Sequence, residues 1–191
     1  NGVFITTTPL AEAAGIPFVS LAGAVVIVEP VKKWVFKTPH TDRMACEKIF
    51  ADLKAHGLRR AALLSESSAY GRSARHQCRA RAAAAGIDIV VDDSHASADT
   101  DFTAPLARIA ASDAQALLVL GAGASSARVT QAVRAAGLPL PLYHTHSIGS
   151  QGFIAAAGPA AEGVRFPAAA LIVAEQLPDA DPQKRVALDY A

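Results

Sequence analysis

Five times in this chain a helical pattern runs into the same stop: EAAGIP, KAHGLR, AAAGID, RAAGLP and AAAGPA, at Gly15, Gly57, Gly86, Gly137 and Gly158. A glycine just past the last helical turn takes the left-handed conformation without a Cβ penalty and lets the orphan carbonyls be satisfied. After the first four stops a short apolar run follows almost at once: IPFVS, LRRAALLS, IDIVV and LPLPLY. Runs that short and that rich in apolar residues read as buried strands. Helix, glycine, strand, helix is the rhythm of an α/β protein built on a wound parallel sheet with helices on both faces. Such a sheet puts its ligand site outside the carboxyl ends of its strands. The residues at those ends are therefore the candidates for function.

The pattern is densest between Thr41 and Pro167. Thr41 or Asp42 caps a helix with Ala45, Ile49 and Leu53 on one face. AALLS then leads through SESSAYG into the helix that ends at Gly86. IDIVV leads through the polar stretch DDSHASADTD, read as a loop, into a helix near Phe102 to Ala111. ALLVL leads through GAGASS into the helix ending at Gly137, and LPLYH opens into THSIGSQG, a short helix and Gly158. Before this block, a helix over TTTPLAEAA feeds the strand IPFVS, and a second strand is expected near Trp34 to Lys37. The tail turns over Pro167 and Pro178 and ends inside a helix. The chain opens on Asn1 without an initiator methionine and looks cut at both ends, so no signal peptide is visible to be judged.

Composition narrows the function. With 191 residues, 51% of them hydrophobic and 18% charged, the chain has material for a sizeable core. No apolar run reaches the roughly 18 residues a membrane span needs. A net charge of +1 gives no electrostatic case for nucleic acid. The basic stretch Arg72, Arg75, His76, Arg79 and Arg81 reads as a solvated helix face, or else as a docking surface. Cys46 and Cys78 fit no zinc or CxxC spacing. They lie on two helices flanking one strand, so they are either inert core thiols or, in an oxidising compartment, a bridge.

Motifs for catalysis are thin. GAGASSA stands where a dinucleotide-binding turn would stand, but Ser126 replaces the third glycine and no ribose-binding acid follows, so a tight strand-to-helix turn explains it. There is no phosphate-binding GxxxxGK[ST] and no GxSxG nucleophile elbow. His144 and His146 alternate past a strand, but no third metal ligand accompanies them. The carboxylates Glu66, Asp92, Asp93, Asp99 and Asp101 read as loop or helix-start residues, where the helix dipole already favours an acid. No enzyme activity, cofactor or metal is expected.

Taken in order, PLAEAAGIPFVSLAGA, WVFKTPHTDRMA, SSAYGRSA, ADTDFTAPLARI, DAQALLVLGAGASSARVTQAVRAAGL and AAAGPAAEGV resemble the type I periplasmic solute-binding proteins, specifically the branched-chain amino acid receptors of ABC transporters. The resemblance covers nearly the whole chain. It implies two lobes joined by hinge strands with a small ligand clamped between them. Residues 1 to 38 would belong to lobe one, 39 to 168 would form lobe two, and 169 to 191 would return to lobe one, with crossings near Lys37 to Thr41 and Phe166 to Ala170. It further implies a periplasmic receptor that hands its ligand to an ABC permease in the inner membrane.

Matching positions imply ligand contacts. Asn1 would receive a carboxylate at a helix start. Ala22 would offer a carbonyl and Ala24 an amide, where the family often has threonine. Tyr70 would close over the ligand from lobe two, beside Ala122, Gly123, Thr145 and His146. Gly123 stands where an aromatic often lines the pocket, so the cleft is expected to be roomier. His146 stands where amino-acid binders place an acid for the α-ammonium. A buried ammonium lacking an anion is costly, so an aromatic or keto acid is expected over a branched-chain amino acid. Glu66, four residues before Tyr70, is expected to be solvated. A cytoplasmic ligand-sensing regulator on the same fold, and less so an enzyme using His144 to Ser147, are the alternatives.

Overall fold

In the computed structural model, which describes residues 2–190, the elements run α1 (Gly2–Ala14), β1 (Phe18–Ser20), β2 (Val35–Lys37), α2 (Asp42–Ala55), β3 (Arg60–Glu66), α3 (Ala69–Ala85) and β4 (Asp88–His95). They continue with α4 (Thr103–Ala110), β5 (Ala116–Leu120), α5 (Gly123–Ala135), β6 (Leu142–His144), α6 (Gln151–Ala157) and α7 (Lys184–Tyr190). Short 3-10 turns fill the connections, among them Val25–Ile27 and His146–Ile148. The strands form two parallel sheets, one of β1 and β2 and one in the order β4-β3-β5-β6. Gly15, Gly57, Gly86 and Gly137 each follow a helix with φ between 64° and 72°. Gly158, with φ 58°, ends α6 but leads into a 3-10 turn instead of a strand.

Period-two alternation in the central strands builds both faces of the larger sheet. Ala61 and Leu63 turn toward α2 and α3, where they pack with Cys46, Ile49, Phe50, Leu53, Ala74 and Cys78. Ala62 and Leu64 turn the other way, against Leu106 and Ile109 of α4 and Val129 and Val133 of α5. The buried positions of α2 fall at 42, 45, 46, 49, 50 and 53, a single stripe at helical spacing. Emptying such a site, as in Leu63→Ala, typically costs about 2–5 kcal/mol. The same face brings Cys46 and Cys78 together in a disulfide that ties α2 to α3.

The DDSHASADTD stretch differs from its reading as a loop. Strand β4 runs through Asp92, Asp93 and Ser94 to His95. It is an edge strand, so it tolerates polar side chains, and its carboxylates are neutralised on both faces. Asp92 pairs with Arg75 at 2.7 Å and Arg79 at 2.8 Å on the α3 side, while Asp93 takes Arg108 of α4. The arginines of α3 thus stabilise a sheet edge as well as facing water. Glu66 is the last residue of β3 and is buried, which corrects its expected solvated loop position.

One close contact sets the carboxyl end of this sheet. A methyl group on Gly71 would lie 2.0 Å from the Glu66 carbonyl oxygen and 2.8 Å from that of Leu120. Only hydrogen fits there, so the first turn of α3 rests directly on the ends of β3 and β5. Tyr70 is carried to the strand ends by that contact.

Candidate functional site

Helix α3 begins at its cap Ser68, whose hydroxyl accepts from the Gly71 amide. The next turn presents Tyr70. Its hydroxyl donates to Thr145 Oγ1 at 2.7 Å, Thr145 Oγ1 lies 3.0 Å from Ser147 Oγ, and Ser147 Oγ donates to the Gly121 carbonyl at 2.6 Å. This chain joins the ends of β5 and β6 to the start of α3. Burial pushes the Tyr70 phenol up to about 12, against the pull of its hydroxyl neighbours. Its ring meets the His146 ring edge-on, with centroids 6.2 Å apart.

His146 faces the two-stranded sheet. A methyl group placed on Gly23 would lie 3.2 Å from His146 Nε2 and 2.5 Å from Asp42 Oδ1. Gly23 belongs to the turn after β1, flanked by the buried residues Ala22 and Ala24. The Asp42 amide donates to the Gly23 carbonyl at 2.9 Å, and Asp42 Oδ2 accepts from Ser73 at 2.6 Å. Burial lowers the His146 pKa, while the nearby Asp42 charge opposes that shift and Lys37 and His40 reinforce it.

The expected residues divide into groups. Tyr70, Thr145 and His146 come together at the ends of the larger sheet, and His146 meets the Ala22–Ala24 turn at Gly23. The Ala22 amide is held by Ser20 Oγ at 3.2 Å, and the Ala24 carbonyl accepts from Ile27 at 3.3 Å. Ala122 precedes the first turn of α5, and its amide donates to Glu66 Oε2 at 3.3 Å, with Ser97 donating to the other oxygen. Glu66 supplies the helix-start acceptor that an alanine cannot. Gly123 is exposed with φ 60° and open space where a side chain would project. Asn1 lies outside the described residues.

Two residues outside the expected site set lie at this place: Asp42, a candidate cap whose role Thr41 takes, and Ser73. Asp42 has no exposed surface, and Ser73 binds it from α3. As the first residue of a helix, Asp42 carries only the ordinary signal of an acid near a helix dipole. Nothing local announces that a turn some 20 residues upstream folds over it.

His144 and His146 do not act together. His144 is fully buried on the α5 side of β6, with Nε2 3.0 Å from Thr130 Oγ1. Thr130 donates to the Ser126 carbonyl at 2.8 Å, so its oxygen accepts from His144 Nε2–H. Desolvation lowers the His144 pKa to about 3. Among the described residues no group of three or more histidine, cysteine or acidic side chains is placed to hold a metal. Ser147 spends its proton on a backbone carbonyl, and no base activates it.

The model of the family described as periplasmic binding protein matches residues 2–190. No curated protein matches the chain. Among solved structures, an extracellular ligand-binding receptor from Rhodopseudomonas palustris HaA2 is 25% identical with a TM-score of 0.89, over 100% of this chain and 54% of that one. A branched-chain amino acid ABC transporter from Thermus thermophilus with bound valine shares 22% identity at a TM-score of 0.78, over 86% of this chain and 44% of that one. The branched-chain amino acid transporter substrate binding protein LivJ from Streptococcus pneumoniae, in complex with isoleucine, shares 19% at a TM-score of 0.74, over 86% and 47%. The chain spans about half the length of the structures it resembles.

Proposed function

The chain belongs to the periplasmic binding protein family, and from that premise we propose that it is part of a solute-binding receptor of an ABC importer. The receptor captures a small carboxylate, either an aromatic or keto acid or a branched-chain amino acid, between two lobes. Residues 1 to 38 and 169 to 191 contribute to one lobe, and 39 to 168 form the other. The loaded receptor is presented to a permease in the inner membrane.

One observation carries the reading: His146, at the end of the larger sheet, meets Gly23, in the turn of the smaller one. Ala22 and Ala24 are buried beside that contact. Their backbone groups reach a solute only if the two surfaces part, and the crossings near Lys37 to Thr41 and Phe166 to Ala170 are where a hinge would bend. Structures of similar fold that hold valine and isoleucine support a small-molecule ligand. The Cys46–Cys78 disulfide supports an oxidising compartment such as the periplasm over the interior of a cell, where a ligand-sensing regulator would work.

A thermal-shift panel of amino acids and carboxylates on the intact protein tests this. A ligand at a hundredfold excess over its Kd raises stability by about 2.7 kcal/mol. A panel in which no compound raises the melting temperature contradicts the proposal.

A further inference from the structure

We infer that Glu29 and Arg43 form an interlobe latch, an ion pair that sets the balance between closed and open forms of the cleft before any solute binds. This rests on the receptor reading and goes beyond it, since neither side chain belongs to the expected ligand contacts.

The pair joins two bodies that are each held together by other contacts. Glu29 lies between the 3-10 turn Val25–Ile27 and β2. That segment is fastened to α1, where the Glu12 carboxylate accepts from the Lys33 and Trp34 amides at 2.8 and 2.9 Å. The neighbouring Val28 packs against the cluster of Ala22, Ala24, Ile27 and Val35. Arg43 is the second residue of α2, which the Cys46–Cys78 disulfide ties to α3. Glu29 therefore travels with the smaller sheet and Arg43 with the larger one. The chain between them passes through the crossing near Lys37 to Thr41.

Across that boundary the two side chains meet fork to fork. Arg43 Nη1 donates to Glu29 Oε1 at 2.9 Å and Nη2 to Oε2 at 2.6 Å, the paired geometry that gives an arginine–carboxylate contact its direction. Gln77 of α3 accepts from Arg43 Nε at 3.4 Å and orients the guanidinium. Arg43 in turn holds the Glu29 carboxyl below its usual range. The groove between the bodies, about 500 Å³, is lined by Ile5 and Val26 on one side and by Arg72, Ser73 and His76 on the other. Among the described residues that line it, Glu29 is the one acid, facing Arg43 and Arg72. The two partners are 27% and 52% exposed, so salt screens their attraction. An exposed ion pair adds little to the stability of a fold. Closure is a balance between two states, and a small preference for one of them shifts their populations directly.

The experiment measures the distance between two spin labels on the intact protein in the absence of solute. The labels are attached through Val31→Cys and Ala80→Cys, exposed positions that flank the groove near Glu29 and Gln77. The doubly labelled parent should show a short and a long population. Glu29→Gln and Arg43→Gln should each lower the short-to-long ratio by about three- to fivefold, the scale of an exposed ion pair. Combining the two should lower it no further, because each alone already breaks the pair. Salt at about 1 M should lower the ratio of the parent and leave that of Glu29→Gln unchanged. A distance distribution that neither substitution shifts overturns the latch, and so do effects of the two that simply add. Both side chains are at the surface, and an unchanged melting temperature shows that each variant is folded. The receptor reading is judged separately, by the thermal-shift panel, so the failure of one is distinguishable from the failure of the other.

Discussion

The Tyr70 hydroxyl donates to Thr145 Oγ1 across 2.7 Å, which leaves the ring, and not the oxygen, against His146. On the proposed receptor reading, Tyr70 serves the cleft by shape. Tyr70→Phe should cost about 0.5–1.5 kcal/mol of stability, one hydrogen bond, with little change in ligand affinity. Tyr70→Ala should lower affinity by about tenfold or more, the contribution of an aromatic anchor. Calorimetry on both variants separates ring from hydroxyl.

The burial of Tyr70 sets an alkaline limit. The Tyr70 phenol is held up to about 12 by burial, above its ordinary value of 10. Above pH 10 the unfolded chain releases this proton before the folded chain does, so stability is complete below pH 10 and falls as pH rises toward 12. Absorbance titration should show a phenol ionising near pH 12 that Tyr70→Phe removes.

His144 behaves in the opposite direction. Its folded pKa is depressed to about 3, so the unfolded chain binds a proton first as pH falls below about 6.5. Its contribution is complete above that pH and declines toward pH 3, at up to about 1.4 kcal/mol per pH unit. Nitrogen NMR should find His144 neutral and protonated at Nε2 from pH 5 to 8. A titration midpoint within that range would contradict the burial of His144.

The disulfide gives a prediction independent of any ligand. Cys46 and Cys78 are 32 residues apart, and closing a loop of that size is worth about 3–4 kcal/mol by the chain-entropy account. The double variant Cys46→Ala and Cys78→Ala should lose that much stability in denaturant unfolding. Thiol titration of the unfolded, unreduced protein should find no reactive groups, and two would contradict the bridge.

Much of this architecture is legible in the order of glycines and short apolar runs, because each helix stop needs a positive φ and each run is too short for a helix. Gly57, Gly86 and Gly137 mark their turns for that local reason. The polar half of β4 is not legible. Asp92 and Asp93 look like loop residues until Arg75, Arg79 and Arg108 arrive from other elements to neutralise them. Glu66 is obscured in the same way, since its partners Ser97 and Ala122 are 31 and 56 residues away. Asp42 is the sharpest case. Its sequence signal is that of any first-turn acid, and its place beside Gly23 and His146 exists only once the two sheets meet.

Gly23 itself can be tested. On Gly23→Ala, the added methyl would collide with Asp42 Oδ1 and crowd His146 Nε2. Both sheets should fold as before, so the melting temperature of the unliganded protein should change little. Apparent ligand affinity should fall by about tenfold or more, in proportion to the lost population of the closed form. Unchanged affinity would mean that this contact plays no part in closure.

The most direct test is a crystal structure of the intact protein with the compound that most raises its melting temperature. The account predicts ligand density between the Ala22–Ala24 turn and Tyr70 and His146. Density elsewhere, as in the apolar cavity of about 510 Å³ lined by Ile148, Phe153, Phe166 and Ile172, would contradict it.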